Sequence, residues 1–138
     1  MNHHYDHEGI DVRVQPSFSL ARSDPADGTF VFSYRVEVEN LGVDPARLMF
    51  RHWLIHDATG EDTEVDGEGV VGEQPVLYPG EVHEYSSFCV LESPAGYMEG
   101  YYIFLRPDGR EFRVAVPRFH FEAPLPPLED DLQGELMN

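Results

Sequence analysis

Alternation of apolar and polar residues dominates the first part of this chain. Ile10 to Val14 alternates, and the longer run from Phe30 to Glu39 does so more regularly. A period of two puts successive side chains on opposite faces of a strand, so both runs predict half-buried β-strands. The apolar face of the longer run consists of Phe30, Phe32, Tyr34, Val36 and Val38.

Later runs with strand character extend from Val82 to Leu91, from Tyr101 to Leu105 and from Glu111 to Phe121. The last two predict a hairpin, because Pro-Asp-Gly-Arg at 107–110 is a strong turn sequence. Pro117 shifts the alternation of the final run. We therefore expect an edge position or a β-bulge there.

The segment from Ala46 to Thr59 fits two structures. It lacks Gly and Pro over a whole helix length, and Met49, Phe50, Trp53 and Leu54 could form a helical stripe. Its β-branched and aromatic residues and its strand-like neighbours favour a strand.

Turn sequences separate these runs at short intervals, and crossover helices are not visible between them. About seven or eight short strands predict an all-β fold, an antiparallel sandwich of two sheets. We expect this domain to cover residues 10–122. Residues 1–9 read as a polar N-terminal tail, and residues 123–138 read as an extended, acidic C-terminal tail.

Composition excludes several partner classes. The 138 residues include 26 Asp and Glu against 9 cationic residues, all Arg, for a net charge of −17. This charge opposes binding to nucleic acids and to anionic membranes. A single cysteine, Cys89, cannot form an internal disulfide, and no run resembles a membrane span or a signal peptide. We expect a cytoplasmic protein.

Gly67-x-Gly69-x-x-Gly72 has the glycine spacing of a phosphate-binding loop. In dinucleotide-binding folds such a motif opens a helix, but Pro75 and Pro79-Gly80 leave no room for one. Two hypotheses remain. The loop amides bind an anion or a peptide carboxylate, or the glycines only permit positive φ in a bulged connection.

Histidines suggest a weak metal site. His52 and His56 are four residues apart but lack a fixed third ligand. Hydrogen bonds from Arg51 and His52 to carboxylates or carbonyls, with Glu64 and Glu73 as candidates, are the simpler expectation, and they would hold the loop on the sheet. His3, His4, Asp6 and His7 could bind Ni²⁺, Cu²⁺ or Co²⁺ loosely, or form a mobile tail. We expect no obligatory cofactor, with a divalent cation as the one candidate ligand.

Catalytic residues are not evident. Cys89 lies in an apolar run that predicts a core position. His83 and Ser86-Ser87 are neighbours in sequence but lack the Gly-x-Ser-x-Gly elbow of hydrolases. Asp57, before Ala58-Thr59-Gly60, predicts a turn-starting Asx residue. The sequence therefore does not predict an enzyme.

A wider set of residues resembles the ApaG (CorD) family, over nearly the whole span from Ile10 to Phe121. The most specific block is Gly-x-Gly-Val-Val-Gly-Glu-Gln-Pro at 67–75. The other matching blocks are Arg51-His52-Trp53, Asp57, Gly60, Leu77-x-Pro79-Gly80, Pro94-x-Gly96-x-Met98-x-Gly100-x-Tyr102, Asp108-Gly109-x-x-Phe112 and Val116-Pro117-x-Phe119.

The resemblance implies an immunoglobulin/fibronectin type III-like sandwich, with Arg51 to Asp57 in a strand. It also implies an association with cobalt and magnesium tolerance and with diadenosine tetraphosphate metabolism in bacteria, without an established enzymatic activity. Eukaryotic relatives carry the domain in F-box proteins and in a polymerase-delta-interacting protein, where it resembles a protein-interaction module. The family usually has Thr where this chain has His56.

Our leading hypothesis from the sequence is a non-enzymatic binding module, monomeric or homodimeric, with a protein partner. The alternative is direct binding of a divalent cation or a metal–polyphosphate complex. The candidate binding residues are Arg51, His52, Trp53, Gly67, Gly69, Gly72, Glu73 and Gln74, and the candidate metal ligands are His52 and His56.

Overall fold

Two antiparallel β-sheets form the protein in a computed structural model that describes residues 8–124. This part of the chain contains eight strands and two short 3₁₀ turns, at Leu20–Arg22 and Pro25–Asp27, so the predicted all-β sandwich is confirmed. The strands are β1 (Ile10–Phe18), β2 (Phe30–Asn40), β3 (Ala46–Asp57), β4 (Asp62–Glu68), β5 (Val76–Leu77), β6 (Val82–Leu91), β7 (Ala95–Leu105) and β8 (Glu111–Glu122).

The smaller sheet has the order β1-β2-β6, and the larger sheet has the order β4-β3-β7-β8. The short strand β5 pairs with the start of β3. Residues of β1 and β8 meet at one side of the sandwich, whereas the phenol of Tyr85 in β6 bonds that of Tyr102 in β7. The smaller sheet therefore lies opposite β8, β7 and β3, and β4 extends beyond β6.

The core lies between the sheets, as the alternation predicts. Phe32, Tyr34, Val36 and Val38 of β2 are buried against residues of the larger sheet. Burial of each large apolar side chain contributes about 1.5–3 kcal/mol, so this interface dominates the stability of the fold. The larger sheet supplies Leu48, Trp53, Met98, Tyr102, Phe104, Val114, Val116 and Phe121.

The strand interpretation of residues 46–59 is confirmed, since β3 covers Ala46–Asp57. The hairpin of β7 and β8 and the bulge at Pro117 are also confirmed. Pairing shifts where Glu99 of β7 faces both Pro117 and Arg118 of β8, and β8 is an edge strand of the larger sheet.

Two strands have no counterpart in the sequence prediction, namely β4 and β5, and β7 begins six residues earlier than expected, at Ala95. Strand β4 contains Asp62, Glu64, Asp66 and Glu68, residue types that are uncommon in strands. Pairing with β3 along seven residues holds β4 in the sheet. Local propensity therefore gave no sign of it.

The described strands begin at Ile10 and end at Glu122. The N-terminal residues His3, His4, Asp6 and His7 lie outside the described residues, as do 125–138 of the predicted C-terminal tail. In the part that the structure covers, no helix has the length and hydropathy needed to cross a membrane.

Asp57 closes one end of the sandwich. Its carboxylate accepts hydrogen bonds from the backbone N–H of Thr59, as an Asx turn requires, and from the N–H of Glu92 (2.7 Å) and the hydroxyl of Ser93 (2.6 Å). Burial raises the pKa of this carboxyl, but the hydrogen bonds from Ser93, Glu92 and Thr59 lower it more, and the pKa lies below its ordinary value.

We expect Asp57→Asn to lower the free energy of unfolding by about 1–3 kcal/mol at pH 7, because an amide NH₂ would face one of these donors. The folded-state pKa is lowered. The carboxylate therefore stabilises the protein above the unfolded pKa of about 4, and this contribution is lost as the pH falls through the folded value. Urea unfolding at pH 7 and pH 3 measures the difference. Exposed Asp27→Asn is the control. If the free energies of unfolding of wild type and Asp57→Asn differ as much at pH 3 as at pH 7, the stabilising role of the Asp57 carboxylate is contradicted.

Candidate functional site on the outer face of the larger sheet

Arg51 explains much of the glycine motif. Its guanidinium donates to the carbonyl oxygens of Glu68 (3.1 Å) and Gly69 (3.0 Å), where β4 ends. A Cβ atom at Gly67 would lie only 2.6–2.7 Å from the guanidinium atoms. Glycine at position 67 therefore leaves room for the arginine, and a larger residue there would have to displace the guanidinium.

The rest of the motif forms a tight turn. Val70 and Glu73 exchange backbone hydrogen bonds, and Val71 and Gly72 between them have φ of 47° and 78°, as in a type I′ hairpin. At Gly69, with φ of 60°, a Cβ atom would lie 2.0 Å from the carbonyl oxygen of Glu73. The amides of Gly69, Val70 and Glu73 all donate within the fold. This geometry fits the structural hypothesis for the glycines.

A row of stacked side chains crosses the outer face of the larger sheet, the face turned away from the smaller sheet. Asp66 of β4 accepts a hydrogen bond from Nδ1 of His52 at 2.6 Å, and the His52 ring stacks on Tyr101 with centroids 4.9 Å apart. Arg113 of β8 also lies over the Tyr101 ring, 3.9 Å from its centroid. An ionised carboxylate can only accept, so Nδ1 carries the proton.

A second row repeats this arrangement. Asp62 accepts a hydrogen bond from Nδ1 of His56 at 2.6 Å, His56 stacks on Tyr97 at 4.7 Å, and Arg118 lies 3.8 Å from the Tyr97 centroid. Arg118 also donates to Glu99 at 2.7 Å. The two rows give the outer face an acidic margin along β4 and a cationic margin along β8.

The two histidines lie far apart on β3. Both face outward from β3, but four residues of strand separate them by about 13 Å, too far to share one metal ion. Residues 8–124 contain no group of three or more His, Cys, Asp or Glu placed to bind a metal ion. The described geometry therefore gives the divalent-cation alternative no support.

Two shallow depressions lie on either side of the His52–Tyr101 stack. One, of about 350 Å³, is lined by Phe50, Arg51, Gly67 and Ile103 together with the stack. The other, of about 380 Å³, includes Leu54, Glu64, Glu99, Pro117 and Arg118. Both are open, and apolar and aromatic groups lie between the charged margins.

The structure brings Arg51, His52 and Gly67 together at the first depression. Trp53 is 3% exposed and packs edge-on against Tyr34 and Tyr102, so it contacts the core and not the outer face. Gly69 is also buried. Gly72 and Glu73 are exposed at the hairpin turn, and the side-chain amide of Gln74 donates to the carbonyl oxygen of Met49.

Arg51 and His52 do hydrogen-bond to carbonyls and a carboxylate, as expected, but their hydrogen-bond partners are not the candidates Glu64 and Glu73. His52 bonds Asp66, its Nε2 lies 3.9 Å from Glu64, and Arg51 bonds backbone carbonyls. The reason is the register of β4, which places Asp66 directly opposite His52. Sequence reasoning also missed the stacking residues. The alternation of Tyr97, Glu99, Tyr101 and Ile103 was the available signal, obscured by glycines at 96 and 100.

Reactive groups in the interior are held in their neutral forms. Burial raises the pKa of the Cys89 thiol to about 11 and raises the pKa of the phenols of Tyr85 and Tyr102. On β6, His83 and Ser87 lie four residues apart, about 13 Å along the strand, and Ser86 points to the opposite face. These residues therefore do not form a nucleophile–base pair.

The three- and five-stranded antiparallel sheets place the protein among β-sandwich domains of the fibronectin type III-like architecture. The ApaG domain family matches residues 20–106. The Protein ApaG of Anaeromyxobacter dehalogenans (strain 2CP-C) is 51% identical over 117 residues, covering 85% of this chain and 92% of that protein. The Protein ApaG of Xanthomonas campestris pv. campestris (strain B100) is 45% identical over 115 residues, with 83% and 91% covered.

Among solved structures, that of the ApaA protein from Bordetella pertussis is similar with a TM-score of 0.82 and 40% identity, covering 85% of this chain and 95% of that one. The chain belongs to the ApaG family, as the resemblance of its motifs implied.

We expect Gly67→Ala to lower the free energy of unfolding by about 1–3 kcal/mol, because the new methyl group would displace the Arg51 guanidinium. In an Arg51→Ala background the same change should cost much less, since the obstructing atoms are gone. Chemical denaturation of the four proteins in this double-mutant cycle measures the coupling. Additive effects would show that Arg51 does not impose glycine at position 67.

Proposed function

We propose that this protein is a non-enzymatic binding module and that a partner protein contacts the outer face of its larger sheet. The observation that carries this proposal is the pair of open depressions beside the His52–Tyr101 stack. Enclosed pockets that bury most of a small ligand are the usual sites of small-molecule chemistry. Broad surfaces with apolar and aromatic centres and charged rims are typical of protein contacts.

The stacked rows support the same proposal. Hydrogen bonds and stacking fix His52 and Tyr101 before a partner arrives, so little side-chain freedom is lost on binding. The acidic margin along β4 and the arginines of β8 would orient the partner, because opposite charges must align across the contact. The net charge of −17 opposes direct binding of a polyphosphate on this face.

The state of the reactive groups supports the proposal of non-enzymatic action. The thiol of Cys89 and the buried phenols are protonated at neutral pH, and the outward histidines are engaged with carboxylates and tyrosines. The association of the family with cobalt and magnesium tolerance and with diadenosine tetraphosphate is then indirect. It is transmitted through the partner that the outer face binds.

Phe50→Asp tests the assignment of the outer face. Phe50 lines the first depression and is 38% exposed, so a carboxylate there should repel an apolar partner surface without disturbing the core. The wild type should capture partner proteins from an extract of its native cell. We expect Phe50→Asp to capture at least about 10-fold less of each, as the loss of one central contact predicts. Quantitative mass spectrometry of the captured proteins gives the readout.

Val43→Asp is the matched control, because it introduces the same charge at an apolar residue that is 86% exposed and lies in the loop between β2 and β3. It should capture the same proteins as the wild type. If the folded Phe50→Asp protein also captures all of them, the outer face is not the contact surface.

A further inference from the structure

Strand β6 differs from the long edge strands β1, β4 and β8. Edge strands are commonly protected from pairing by charges, prolines or bulges. Strand β4 has four outward acids, β8 has Pro117 in a bulge, and β1 has Pro16 and a charged face around Arg13. The last six residues of β6, Ser86 to Leu91, carry no charge and no proline.

The second edge of β6 has no strand beside it within residues 8–124. Next to that edge lies a cavity of about 260 Å³, here called the slot. Residues Phe88 to Leu91 of β6 and the following Glu92 form one side of it, and Ile55, Asp57, Glu61 and Thr63 form the other. Because β4 extends beyond β6, the slot lies under β4, where the smaller sheet lacks a fourth strand.

Apolar side chains beside the slot are exposed. Phe88 is 49% exposed and Val90 is 64% exposed, both on the side of β6 that faces away from the core. Arg22 covers part of the Phe88 ring at 4.5 Å. A strand placed beside β6 would pair its own side chains with these two residues, as cross-strand neighbours do in antiparallel sheets.

We propose that the free edge of β6 binds a single extended segment of a partner protein, which adds as the fourth strand of the smaller sheet. Main-chain hydrogen bonds supply affinity in this mode of recognition, and alternate side chains supply specificity. This binding site is separate from the outer face, and the inference does not depend on the proposed function.

The position of β4 beyond β6 favours a single strand as the occupant and disfavours a second copy of this chain. If two copies paired symmetrically through β6, β4 of each copy would lie opposite β6 of the other copy. That space is already filled by β3. Two copies would also each carry a charge of −17. A lone extended segment is thin enough to fit under β4.

The walls of the slot define the chemistry of that segment. Side chains that point inward would meet Ile55 and Thr63, which suit β-branched residues. Glu61 and Glu92 line the slot near the C-terminal end of β6, so the segment carries a basic residue at this end. In an antiparallel orientation that residue is N-terminal.

A fluorescein-labelled peptide of two lysines followed by alternating valine and threonine, nine residues in all, tests this proposal by fluorescence anisotropy. We expect saturable binding with a Kd on the order of 10–100 µM, as weak strand addition gives. In NMR spectra of the ¹⁵N-labelled protein, the largest shifts should fall on residues 86–91. The same peptide with N-methylated alternate amides should bind at least about 10-fold more weakly, because those amides could no longer donate to β6.

Thr63→Trp should fill the slot and weaken binding of the peptide at least about 10-fold. Ala115→Trp, at an exposed position on the outer face of β8, is the matched control and should leave the affinity unchanged.

Any of several results would overturn the proposal. These are no binding at millimolar peptide, equal binding of the N-methylated peptide, or shifts centred on β4 or β8. A concentration-dependent dimer with shifts on residues 86–91 would assign the edge to a second copy instead. The capture experiment with Phe50→Asp tests only the outer face. If it shows that the outer face is not a contact surface, the peptide-binding result at the edge of β6 still stands.

Discussion

The contact between the Arg51 guanidinium and the backbone of β4 is the interaction on which the larger sheet depends. The arginine binds two carbonyl oxygens at the end of β4 and occupies the space beneath Gly67. Without it, β4 would be held only by pairing with β3, by the Asp66–His52 and Asp62–His56 hydrogen bonds and by the half-buried Val65, although β4 is rich in residues that disfavour strands. A half-buried guanidinium is costly to leave without acceptors. The contact therefore fixes both the Arg51 side chain and the end of β4.

The outer face follows from this contact. Strand β4 supplies Asp66 and Asp62, and these carboxylates hold His52 and His56 in the orientation that stacks them on Tyr101 and Tyr97. The same extension of β4 past β6 leaves the slot on the inner side. A contact that looks purely structural therefore shapes both surfaces on which recognition is proposed.

Period-two alternation was sufficient to predict β1, β2 and the two-sheet architecture, because burial of one strand face leaves a direct signal in sequence. The bulge at Pro117 was predictable for a different reason, since proline cannot donate to a ladder. Strand β4 was not predictable, because tertiary pairing and Arg51 hold it in place against its local propensity.

The candidate site was predictable only in part. Arg51, His52 and Gly67 do come together at one depression. Trp53 was included as a candidate because tryptophan is rare in this chain, but it lies in the core. The partners of His52 could not be inferred, because the register between β3 and β4 is set by contacts far apart in sequence. His56 shows how a spacing typical of metal ligands on a helix loses that meaning on a strand, where the same four residues span about 13 Å.

The dependence of β4 on Arg51 is open to a direct measurement, hydrogen–deuterium exchange of wild type and Arg51→Met. If Arg51 holds β4 in the sheet, amides of residues 62–68 and of the following turn should exchange at least about 10-fold faster in the variant. Those of β1, β2 and β6 should keep their protection. Unchanged exchange across β4 in a variant that has lost the guanidinium would contradict this account.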